Sequence, residues 1–216
     1  MLRLLAYTCL CFALLAAPAA AATVEDLKPC YVSAGEGEDE REQIVIRGTD
    51  FTQISTVEVL FDGVVVGSAP TGSIGEFEIR LVAPFQARGE RELVVTVRDA
   101  VTQVVKTTHV TNLGMTIKPR RGTTRRRARF RGRGFLLDGP VYAHYLLGGK
   151  VQKTIRLARS SAGSCGTFDV RRRLIPIDDA DIGRWVMQVD QKRVFSRAPD
   201  PVWVRREINV TEVLLD

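Results

Sequence analysis

Histidine is almost missing from this sequence: His109 and His144 are the only two in 216 residues. They lie far apart in strand-like runs and fit no metal-ligand spacing, so no histidine-based metal or catalytic centre is visible. No phosphate-binding loop, dinucleotide fingerprint, zinc-protease motif or nucleophile elbow occurs. Ser160-Ser161-Ala162-Gly163-Ser164 reads as a flexible hairpin loop, with no histidine nearby to activate a hydroxyl. Asp178-Asp179-Ala180-Asp181 offers the oxygen ligands calcium prefers but lacks an EF-hand continuation, and reads as a polar turn. Gly35 to Glu40 reads as an acidic loop. The expectation is a protein that is not an enzyme, with no catalytic residue, no cofactor, no metal site and no small-molecule substrate. A long apolar run is also lacking beyond the N-terminus, where a membrane span would need about 20 residues.

Cysteine is scarce too. Of four, Cys9 and Cys11 lie in the apolar N-terminus, leaving Cys30 and Cys165 in the body of the chain. Two readings stand: a pair of free thiols, or a possible disulfide between Cys30 and Cys165. The bridge would close a loop of about 135 residues, which a chain-entropy treatment values at roughly 4–5 kcal/mol. It would also require the amino terminus to fold back onto the second half of the chain.

The first residues have the layout of a secretory signal peptide. Arg3 gives a positive start, Leu4 to Leu15 are mostly apolar, and Ala16 to Ala22 supply small residues around Pro18. Residues 1–22 are assigned to it, with cleavage after Ala20 or Ala22; retention as an anchor is the other reading. The expected location is secreted or extracytoplasmic, in the cell envelope, with no membrane span after signal cleavage.

Charge divides sharply along the chain. Residues 23–113 hold 8 Lys/Arg against 15 Asp/Glu, a net of −7, whereas residues 114–216 hold 22 against 10, a net of +12. An internal repeat follows the same division. Ile44 to Phe51 matches Ala128 to Phe135, both ending Gly-x-x-Phe, at an offset of 84. Val57 to Phe61 matches Val141 to Tyr145, Gly75 to Arg80 matches Gly166 to Arg171, and Leu93 to Val97 matches Trp185 to Val189. Asp99 and Asp190 follow the last pair. Short alternating runs bounded by turn signals read as strands. Asp62-Gly63 and Gly148-Gly149 read as two-residue hairpin turns.

The expected fold is all-β: two tandem immunoglobulin-like β-sandwich domains, 23–113 and 114–197, followed by a C-terminal tail over 198–216. The expected core-facing side chains are Ile44, Ile46, Phe51, Val57, Val59, Phe61, Phe77 and Ile79 in the first. In the second they are Phe130, Phe135, Tyr145, Phe168, Val170 and Trp185. Ile44-x-Ile46-x-Gly48-x-x-Phe51 followed by Val57-x-Val59-x-Phe61-x-Gly63 resembles the opening of IPT/TIG and related bacterial Ig-like domains. Gly75-x-Phe77-x-Ile79-x-Leu81-x-x-Pro84, ending in Val95-x-Val97-x-Asp99, is similar to Ig-like repeats of actinobacterial secreted and cell-surface proteins. The resemblance covers nearly all of Cys30 to Val110 and is weaker over Met115 to Arg197. It implies an interaction or spacer module without catalysis.

Between Lys118 and Arg133 stand nine basic residues in sixteen, with no acid. Arg127, Arg129, Arg131 and Arg133 alternate with Ala128, Phe130 and Gly132, so a strand here sets four guanidiniums on one face. With Arg125 they form a possible anion-binding stripe, to which Arg171-Arg172-Arg173 can add. Outside a cell such a stripe fits teichoic acid, an anionic glycan, a lipid headgroup or extracellular DNA. Two other readings are a solvated strand face and an intramolecular contact with the acidic first half. The leading expectation is a non-enzymatic interaction or structural module whose partner is an unknown protein or envelope polymer. The polyanion binder is the alternative.

Overall fold

The period-2 patterning of the chain becomes sixteen strands in a computed structural model, which describes residues 21–136, 138–161, 163–197 and 203–212. The first half supplies β1 (Thr23–Val24), β2 (Cys30–Ser33), β3 (Gln43–Thr49), β4 (Thr56–Phe61), β5 (Val64–Pro70), β6 (Phe77–Val82), β7 (Glu90–Arg98) and β8 (Gln103–Asn112). A 3-10 turn at Glu38–Glu40 occupies the acidic loop. The second half supplies β9 (Gly114–Lys118), β10 (Arg121–Gly122), β11 (Arg127–Arg133), β12 (Gly139–Leu147), β13 (Lys150–Ser160), β14 (Thr167–Arg173), β15 (Gly183–Asp190) and β16 (Val204–Val210).

Each half closes as a three-stranded sheet facing a five-stranded one. The orders are β1-β3-β6 with β2-β8-β7-β4-β5, then β9-β11-β14 with β10-β16-β15-β12-β13. Adding eight to each label of the first half gives the second, including the single parallel pairing, β2 on β8 and β10 on β16. The protein is two tandem immunoglobulin-like β-sandwiches. Two separate apolar cores fill them, one drawn from Val24 to Val110 and the other from Met115 to Val210. Every expected core residue is buried except Ile79 and Val170, which are partly buried against the same clusters.

The Gly-x-x-Phe repeat has a packing cause. On β3 and β11, Gly48 and Gly132 leave room for the ring of a phenylalanine from the neighbouring strand, Phe77 and Phe168, and a Cβ at either glycine would overlap that ring. Those rings pack on Phe51 and Phe135, with centroids 5.3 and 5.2 Å apart. The hairpin glycines behave as their dipeptides require: Asp62 and Gly63 have φ of 50° and 84°, Gly148 and Gly149 of 55° and 77°.

One boundary needs correction. Val204–Val210, expected in a C-terminal tail, is a strand inside the second sandwich. It pairs with β15 from Gly183↔Val210 to Val189↔Val204, and with β10 on its other side. Ile208 is fully buried in the core. In the first sandwich β7 turns directly into β8, whereas in the second a long connection separates β15 from β16, which pushes the last strand out of the repeat's register. Residues 1–20 of the expected signal segment, with Cys9 and Cys11, lie outside the described residues, as do 198–202 and 213–216 of the expected tail.

Candidate anion-binding face

β11 is the middle strand of its sheet, and its alternation divides it cleanly. Ala128, Phe130 and Gly132 are buried, while Arg127, Arg129, Arg131 and Arg133 are exposed. Register then determines their neighbours on the outer face. Across from Arg127, Arg129 and Arg131 on β14 stand Arg173, Arg171 and Asp169. On β9, Lys118 stands beside Arg129 and Thr116 beside Arg131. The outer face of this one sheet therefore carries seven cations and a single carboxylate. Arg125 sits in the exposed turn that leads into β11, where the Arg126 amide donates to the Thr123 carbonyl at 3.0 Å.

Asp169 holds two of these arginines. Arg129 donates through Nε and Nη2 at 2.7 and 2.5 Å, one bond to each carboxylate oxygen, and Arg131 Nε adds a third at 3.0 Å. The Arg129 fork, with help from Arg131, holds the Asp169 carboxyl down at about 2. Arg173 pairs with Asp178 at 2.8 Å, which accounts for one of the acids in the Asp178–Asp181 turn. Trp185, on the core side, ties that turn down by donating its indole N–H to the Asp181 carbonyl at 2.9 Å. Arg133, Arg171, Lys118 and Arg125 have no side-chain hydrogen bond or ion pair among the described residues. Nor does the acidic first sandwich neutralise the stripe. Each ion pair among the described residues joins two residues of the same sandwich, such as Lys28–Glu42, Arg98–Glu58 and Lys106–Asp26.

The stripe runs toward the junction between the sandwiches. β8 ends at Asn112 and β9 begins at Gly114, so Leu113 alone connects them. Leu113 N–H donates to the Ser33 carbonyl at 3.4 Å, and its side chain packs on the second core. Cys30 on β2 and Cys165, before β14, form a disulfide across the junction, with Cα atoms 5.1 Å apart and both residues buried. Beside it opens a cleft of about 600 Å³, with Arg88, Gly89 and Asn112 on one side and Arg131, Arg133 and Asp169 on the other. Sequence reasoning did not single out Arg88. It is one of eight bases in the acidic half, and only the three-dimensional arrangement brings it to the stripe.

The scarce histidines have structural settings. His144 lies on the outer face of the five-stranded sheet of the second sandwich, yet is fully buried. Its Nδ1 shares a hydrogen bond with Thr154 Oγ1 at 2.8 Å, and its Nε2 faces Asp190 Oδ1 at 3.2 Å. Asp190 also accepts from Gln188 Nε2 at 3.0 Å and from the Lys192 amide at 2.9 Å. Burial pushes the Asp190 carboxyl up, but the bonds from His144, Gln188 and Lys192 outweigh it and leave it below the usual range. The network pins the segment after β15 over the sheet, with Phe195 edge-on to the imidazole at 5.6 Å. Trp203, just before β16, is half-buried beneath the Arg205 guanidinium, 4.7 Å from its ring centroid. Among the described residues no group of three His, Cys, Asp or Glu is placed to hold a metal ion, and no helix is long and apolar enough to cross a membrane.

No family model matches the chain, and no curated protein matches it. Similar solved structures include the fibronectin(III)-like modules of Clostridium thermocellum CbhA, at 14% identity and a TM-score of 0.29, covering 90% of this chain and 96% of that one. The titin Ig tandem domains A164-A165 are similar at 11% identity and a TM-score of 0.30, over 88% and 95% of the two chains. The Yersinia pseudotuberculosis adhesin InvE is similar at 9% identity and a TM-score of 0.31, over 88% of this chain and 59% of the adhesin.

Proposed function

We propose that this chain is an extracytoplasmic, non-catalytic interaction module, and that its binding surface is the arginine-bearing face of the second sandwich, which takes an anionic polymer. The observation that carries the reading is the imbalance on the outer face of the β9-β11-β14 sheet: its strands bear seven cations against one carboxylate, and Asp178 in the turn after β14 pairs with only one of them, Arg173. Strand geometry repeats the β11 arginines about every 7 Å, so they address a row of charges rather than a single ion. Guanidinium forks match phosphate and carboxylate oxygens in pairs, and those of Arg133 and Arg171 have no side-chain partner among the described residues. The disulfide supports an oxidising compartment, in keeping with the signal-like N-terminus.

The test is retention of the disulfide-bonded protein on immobilised polyanion across a salt gradient. Arg127, Arg129, Arg131 and Arg133 are changed together to Gln. The four-fold variant is expected to elute at much lower salt than the parent, because each lost phosphate contact removes about one unit from the salt slope. Elution at the same salt would reject the polyanion reading and leave a rigid spacer as the role.

A further inference from the structure

Arg88 and Arg133 both line the cleft between the sandwiches, and neither side chain has a hydrogen bond or ion pair among the described residues. They come from opposite bodies. The first sandwich has an excess of acid, yet it contributes a base here. Both side chains are exposed, so an anion entering the cleft meets them directly. Asp169, already paired with Arg129 and Arg131, is the one carboxylate among the residues that line the cleft, so the lining carries an excess of positive charge that an anion can meet.

The scaffold that holds the two arginines is short and well tied. The Gly89 amide donates to Asn112 Oδ1 at 2.8 Å, and the Asn112 amide donates to the Gly89 carbonyl at 3.1 Å. Asn112 ends β8, Leu113 follows, and Gly114 is the register partner of Arg133 on β11. Arg88 is therefore linked to Arg133 through three consecutive backbone positions and one strand pairing. The Arg133 guanidinium reaches across the junction to the face of Gly89, where a Cβ would lie 3.5 Å from its Nη1. The Cys30–Cys165 bridge fixes the two bodies a second time.

We propose that this cleft is a phosphate subsite shared by the two sandwiches, with Arg88 on one wall and Arg131 and Arg133 on the other. It receives a phosphate of a linear phosphate polymer whose remaining charges run along β11. The inference rests on the polyanion reading above and adds the ligand class, the site and a residue from the first sandwich. Size agrees with it: a cleft of about 600 Å³ falls in the range of small-ligand pockets, large enough for a phosphate unit of a thin chain. Chemistry argues for phosphate over carboxylate. Arginines on opposite walls need acceptor oxygens pointing several ways, which a tetrahedral phosphate has and a planar carboxylate lacks.

The experiment measures binding of short linear inorganic polyphosphate and of poly-L-glutamate to the disulfide-bonded protein at fixed salt. It compares the parent, R88Q, R133Q and the four-fold Arg127, Arg129, Arg131, Arg133 to Gln variant. Arg88 is exposed and its side chain has no partner among the described residues, so R88Q is expected to fold with an unchanged melting temperature. Losing one charge-assisted contact should weaken polyphosphate binding about tenfold in R88Q, as in R133Q. Parent-like polyphosphate binding by R88Q, alongside loss in the four-fold variant, overturns the cleft subsite and leaves the stripe intact. An equal loss for poly-L-glutamate in R88Q overturns the phosphate assignment. Absence of polyphosphate binding by the parent overturns both the subsite and the polyanion reading beneath it.

Discussion

Cys30, on the edge strand β2 of the first sandwich, and Cys165, just ahead of β14 in the second, are joined by a disulfide that closes a loop of 135 positions. The bridge and the Leu113 connection together fasten the sandwiches at two points. Replacing both cysteines by serine is expected to lower stability by about 3–5 kcal/mol, as the entropy of so long a loop requires. It should also separate one unfolding transition into two. Chemical denaturation with and without reductant checks this: reductant should reproduce the loss in the parent and change nothing in the variant.

Gly132 lies under the Phe168 ring, so the G132A methyl must displace a packed aromatic side chain. The expected cost is about 1–3 kcal/mol, read from the urea midpoint. Shortening the ring in G132A/F168L should recover part of that loss, because the two positions share one space. Additive losses would show that the glycine is needed for another reason.

Tyr145 is buried in the second core with its hydroxyl unpartnered among the described residues, and burial pushes its phenol well above the usual range. A buried hydroxyl without a hydrogen bond forfeits its hydration. Y145F is therefore expected to be neutral or to stabilise by up to about 1 kcal/mol, measured by thermal melting. A clear fall in melting temperature would show that the hydroxyl is satisfied in solution.

D190A removes the acceptor for His144, Gln188 and the Lys192 amide at once, and should cost about 2–3 kcal/mol. Because the folded carboxyl titrates below its unfolded value, the contribution is fully present above the unfolded value, near pH 4. It is lost as pH falls through the lower folded value. Urea midpoints of the parent and D190A should converge on acidification and stay apart at neutral pH.

The legibility of this fold follows the physics of its parts. Period-2 alternation and turn glycines are local, so Ile44, Ile46, Phe130 and the Asp62-Gly63 hairpin could be read directly. The Gly48 and Gly132 repeat was visible too, although its cause, a phenylalanine three strands later in sequence, was not. β16 escaped because the long connection before it broke the offset on which the repeat was traced. Arg88 carried no signal, since a single base gains meaning only from what the junction places opposite it. The same holds for Asp169, which reads as an ordinary strand residue until register sets it beside Arg131.

Asp169 decides how much of the stripe is available. It is the one carboxylate on the seven-cation face, and it engages Arg129 and Arg131. With its carboxyl held at about 2, it stays ionised from neutral pH down to the strongly acidic range, and any stability from the pairing is lost only as pH falls through that value. Polyanion binding should therefore not change between pH 5 and pH 8 on its account. D169N removes the competing charge while keeping the shape, freeing two guanidinium forks. The expected result is polyphosphate binding tightened about two- to fivefold, with a steeper dependence on salt. Titrations at two salt concentrations check it. Weaker binding by D169N would mean that Asp169 serves the site by aiming Arg129 and Arg131, and that geometry rather than net charge governs the face.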